Sequence, residues 1–177
     1  MKPDITVLSI LVGYMEQQLK IIKELSEKIF SSSKELSSEK DTYYVALLLH
    51  NLYNAFEDLF REVARTFENH VEDPSRYHRE FLKKMAIEVP SIRPPLLSSR
   101  SLDVLDRLRR FRHFVRHAYN YEIDAEELLH IVKTLEGSFS SILKDIRDFQ
   151  TWLETVVRGI SSHPSESDEA TEDRNNH

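Results

Sequence analysis

The chain has 177 residues, 31% of them charged and 40% hydrophobic, with a formal net charge of −6; that length suits one domain with a sizeable core. It holds no cysteine, which excludes disulfides, thiol catalysis and cysteine-rich zinc sites. Its three glycines, Gly13, Gly137 and Gly159, are so little turn punctuation that a few long helices are expected.

A first helix is expected from about Asp4 to Phe30, with apolar residues at 8, 11, 15, 19, 22, 25 and 29 on one face and the serines 31 to 33 ending it. No apolar run here or elsewhere is expected to approach the roughly 18 residues that cross a bilayer, and Asp4 replaces the basic start of a signal peptide. The expected location is cytoplasmic, away from membranes. A second helix over about 39–69 places Val45, Leu48, Leu49, Leu52, Phe56, Leu59, Phe60, Val63 and Phe67 in steps of three and four on one face.

Asp73-Pro74-Ser75 reads as a turn, with Ser75 capping a short third helix striped by Tyr77, Phe81 and Met85. Residues 88–100 contain Pro90, Pro94 and Pro95, which forbid a regular helix and predict an extended linker. Ser101 can cap a fourth helix, about 102–120, and Asp124 with Glu127 makes a capping-box-like start for a fifth, about 125–157. The fifth repeats Leu128, Val132, Leu135, Phe139, Ile142, Ile146, Phe149, Leu153 and Val156, the seam of an antiparallel bundle. The expected fold is therefore all-α, an up-down bundle of four to five helices over residues 1–158. Residues 159–177 lack apolar periodicity and are expected to form a disordered acidic tail.

Charge is unevenly spread. The tail carries five acids against Arg174, a net −4, which leaves −2 for residues 1–158. Within that nearly neutral body, residues 107–121 hold arginines at 107, 109, 110, 112 and 116 and no acid. On a helical wheel with about 100° per residue, Arg112 falls at the edge of the face formed by Val104, Leu105, Leu108, Phe111 and Val115. A guanidinium cannot shed its charge on burial, so it needs an anion or a path to solvent; Glu57 and Asp58 of the second helix are candidate partners. His50, Asn51 and Asn54 could add polar groups to the same cleft.

His113 and His117 are four apart, as in zinc helices, yet Phe114 stands where a metalloprotease carries its glutamate, so no metal site is expected. His117 lies about 140° around the wheel from Arg112. Either the helix bends or ends early, or Arg112 of one copy meets His117 of another across a symmetric dimer.

The spacing Arg112, four residues, His117, one residue, Tyr119 resembles the Arg-x4-His-x-Tyr signature of HEPN ribonuclease toxins of the HepT type, from type II or VII-like toxin-antitoxin systems. The resemblance extends over about residues 5–157, with Ala118 where a glycine is common in those toxins. It implies a HEPN-like bundle acting as a metal-independent endoribonuclease that needs no cofactor. It further implies a homodimer whose subunits share one cleft, with Arg112 and His117 as catalytic residues on an RNA substrate. Arg109, His113 and Arg116 would support RNA binding. A partner nucleotidyltransferase of the MNT type, the antitoxin, would attach AMP to Tyr119 by AMPylation. The alternative is a non-catalytic HEPN-like module that binds a partner protein or a nucleotide.

Overall fold

A computed structural model describes residues 4–68, 74–117 and 122–162; for residues 74–78, 114, 116 and 117 it describes backbone only. Five α-helices and one 3-10 turn make up the described regular structure, and no strand occurs among the described residues. Helix α1 (Ile5–Ser32) begins at Asp4, whose carboxylate accepts a hydrogen bond from the Thr6 N–H at 2.8 Å. It passes into a 3-10 turn, Ser33–Glu35, so the serine cluster ends the helix a little later than expected.

Helix α2 (Glu39–Glu68) is the centre of the molecule. Tyr53, Phe56 and Phe60 are its largest fully buried side chains, flanked by Leu49, Leu52 and Leu59. Helices α1 and α4 both pack on α2 and on α5 (Ala125–Ser161), closing a four-helix ring. Edge-to-face contacts such as Phe30 with Phe139, ring centres 5.7 Å apart, tie its ends together.

One expectation about α1 is corrected. A window within Ile5–Glu35 reaches a mean hydropathy of 1.2, so by length and composition this helix is apolar enough to cross a bilayer. One face of it serves the bundle, with Leu8, Leu11, Met15, Ile22 and Ile29 buried in the core, while Val7, Ile10 and Ile21 stay exposed. Gln18, on the same face, donates to the Ala55 carbonyl at 2.9 Å. Helix-facing burial of this kind demands the same composition as lipid-facing burial.

Three further boundaries differ. Helix α3 (Pro74–Met85) starts at the proline, whose fixed φ suits a first turn, so Ser75 lies inside the helix rather than capping it. Helix α4 (Ser99–His117) is capped by Ser98, not Ser101: the Ser98 hydroxyl accepts from the Ser101 N–H at 3.3 Å. Ser98 is itself held because its N–H and hydroxyl both donate to Asp145 of α5, at 2.8 and 2.7 Å. Helix α5 starts as expected, with Asp124 accepting from the Glu126 and Glu127 N–H groups, but runs through Ser161, past the expected end at 157. The Ser162 N–H closes it on the Arg158 carbonyl. Of the acidic tail, residues 163–177 lie outside the described residues.

The proline-rich stretch is no plain linker. Val89 and Arg93 face each other across a tight turn with Ser91 at φ 63°, and the N–H groups of Leu96 and Leu97 donate to the Met85 carbonyl. The Arg93 guanidinium is fully buried, 2.6 Å from Glu68, and donates to the carbonyls of Lys84, Ile87 and Pro94. One side chain thus pins the end of α2, the end of α3 and the approach to α4.

Candidate active site

The buried positions Val104, Leu105, Leu108 and Phe111 fix the rotation of α4 against the core. That rotation carries Arg112 to the α2 side. Its terminal nitrogen stands 3.4 Å from Glu57, and its guanidinium carbon lies 5.5 Å from the centre of the Tyr53 ring. Glu57 is almost wholly buried, 4% exposed, while 15% of the Arg112 side chain still reaches solvent. Of the two carboxylates named as candidates, Glu57 takes Arg112; Asp58 turns outward and pairs with Arg61 at 2.9 Å.

The surroundings of this pair are polar but sparingly satisfied. Arg112 Nε and Asn54 Oδ1 are buried without a hydrogen-bond partner. His50 is partly buried, whereas Asn51 points to solvent and is no part of the cleft. Burial pushes the Tyr53 phenol well above its usual range, and the Glu57 charge adds to the effect; Arg109 and Arg112 oppose both. Tyr53 is neutral beneath its cation.

The remaining basic residues are less bare than their run suggests. Asp106, one residue ahead of the acid-free stretch, reaches Arg109 at 2.8 Å and Arg110 at 2.8 Å along the helix. Burial raises the Asp106 carboxyl, but hydrogen bonds and charge from those two arginines more than reverse it, so it stays ionised below the usual range. His113 is exposed on the same helix. Arg116 and His117 belong to the last turn of α4, which runs without a break to His117, so at regular helical spacing the position of His117 stays about 140° round from that of Arg112. Tyr119 lies outside the described residues.

Two contributors were not anticipated. Tyr53 was hidden among the apolar residues of α2, although it precedes Glu57 by four. Asp106 was legible from its spacing to Arg109 and Arg110, had the basic run not been delimited one residue too late.

A comparison with known protein families decides what this bundle is: the sequence profile described as HepT-like protein matches residues 44–153. The chain belongs to the HepT-like family. The HepT-like match runs from α2 into α5 and contains all of Arg112 to Tyr119, and α1 precedes it. The fold is accordingly an all-α, HEPN-like helical bundle. No curated protein and no solved structure matches the chain. Within this HepT-like frame, the Arg-x4-His stretch forms the last two turns of α4, with its arginine anchored on α2.

Proposed function

We propose that the protein is a toxin-type, metal-independent endoribonuclease of the cytoplasm, in which Arg112 and His117 from two copies of the chain share one cleft. The observation that carries this reading is the family match, because residues 44–153 include the complete motif. The chemistry suits the residue types. An imidazole titrating near neutrality can take the proton of a ribose 2′-OH, whose oxygen then attacks phosphorus, and a second imidazole can protonate the departing 5′-oxygen. Two copies of His117 supply both roles. The guanidinium of Arg112 holds the phosphate and the charge that builds on it. The Glu57 carboxylate and the Tyr53 ring hold that guanidinium while leaving its outer edge open to solvent. Arg109, His113 and Arg116 attract the RNA backbone, with a salt dependence to match.

A nucleotidyltransferase antitoxin would silence this site by placing AMP on Tyr119, seven positions after Arg112 in the sequence, so that the added phosphate competes for the same cation. The decisive experiment incubates purified protein with RNA in the presence of a chelator. Cleavage is expected, and it should fall by at least about a hundredfold in Arg112→Ala and in His117→Ala; undiminished cleavage by His117→Ala overturns the assignment. In cells, Tyr119→Phe should remain toxic and escape the antitoxin.

A second reading, a non-catalytic module, draws on the pairing of Arg112 with Glu57 and of Arg109 and Arg110 with Asp106, which gives these arginines structural partners. Unimpaired growth on overexpression, with no RNA cleavage in vitro, would favour it.

A further inference from the structure

Between them, helices α4 and α5 enclose a groove of about 340 Å³, within the size range of small-ligand sites. Its floor is apolar, built by Leu108 and Phe111 of α4 and by Ile131 of α5. Its rim carries three exposed groups able to bear positive charge, Arg107, Arg110 and His130. Acids offset them only in part: Asp106 is shared between Arg110 and Arg109, and Glu127 stands on the rim. Arg110 and His117 are seven positions apart, which places them within about 20° of each other around the helix and about 10 Å apart along it. Arg110, at one rim of the groove, is therefore aligned with the position of His117, while the floor residues face the core.

We propose that this groove is a nucleobase subsite for the RNA substrate, in which one unpaired base lies against Phe111, Leu108 and Ile131 and its own phosphate meets Arg107 and Arg110. The inference rests on the ribonuclease reading above and names where the chain grips its substrate. An apolar floor with a cationic rim is the combination that single-stranded RNA sites use, the base giving up water at its face while the backbone meets arginine. An uncharged peptide would cover the floor and leave Arg107 without a counter-charge; a nucleotide answers both features at once. The site also separates two tasks on one helix: Arg112 faces α2, and the base is held toward α5.

The test uses the full chain with methyl-labelled isoleucine and leucine, titrated with uridine and adenosine monophosphates, and with inorganic phosphate as control. The nucleotides should shift the Ile131 methyl signal saturably. The exposed pair Arg107→Ala and Arg110→Ala should weaken that binding by about fivefold or more. Ile131→Trp, which fills the floor and leaves the rim, should abolish the nucleotide response, read in that variant on the methyl signals of Leu108. An unmoved Ile131 signal overturns the subsite. So does an equal shift from phosphate alone, or a shift that follows protein dilution and not nucleotide, since the latter would mean a second copy covers the groove. Nucleotide binding without any RNA cleavage would uphold the subsite and sink the ribonuclease reading. Cleavage with the same KM and the same cut-site preference in the double arginine variant would sink the subsite alone.

Discussion

Arg112 shows how one charged side chain can be stored at the edge of a core. Its partner Glu57 is nearly inaccessible and also has Arg61 at 3.9 Å, so removing Glu57 strips the largely buried Arg112 guanidinium of its carboxylate in a poor solvent. Glu57→Ala is expected to lower unfolding stability by about 3 kcal/mol in urea titrations. Replacing Arg112 by Met in that background should recover more than half of the loss, because no orphan charge then remains; a double variant as unstable as the single one would show the pair to be uncoupled. Tyr53 beneath the pair sets an alkaline limit. Its phenol ionises at higher pH in the folded protein than in the unfolded chain, so its contribution is complete below about pH 10 and is lost as pH rises further. Stability should fall along that alkaline limb, and Tyr53→Phe should flatten the fall without changing the neutral plateau in slope.

Among the elements, α5 offers the plainest test of local physics. Gly137 sits on its exposed side, and a methyl group built there meets no heavy atom within 4 Å. Gly137→Ala should raise stability by about 1 kcal/mol, measurable as a higher unfolding midpoint, since only backbone freedom changes. The long periodic stripes of α2 and α5 were legible because every third or fourth residue repeats the same message. Helix starts were less so. Ser98 and Ser101 are equally good caps on paper, and the choice falls to Asp145, 47 residues away from Ser98, which fixes the former. Arg93 was missed for a related reason: a lone arginine among prolines has no period, and its carboxylate partner, Glu68, lies 25 residues upstream. In the site, the need of Arg112 for an anion could be read from the wheel. The preference for Glu57 over Asp58 could not, because adjacent helix positions differ by about 100° and only packing says which one points inward.

For the whole molecule, the ring of α1, α2, α4 and α5 holds α4 as one continuous helix through His117, with Arg112 and His117 about 140° apart around its axis at regular helical spacing. The composite-site reading therefore expects a dimer at micromolar concentration by sedimentation, and a chain that stays monomeric at every concentration would weigh directly against it. The same separation has a consequence for dosage. If each cleft needs an arginine from one copy and a histidine from another, activity at low abundance rises with the square of the amount of protein rather than in proportion to it. A few stray chains made from leaky transcription would then be harmless, and harm would begin only past a threshold of expression. An uninterrupted helix would act as a safety catch.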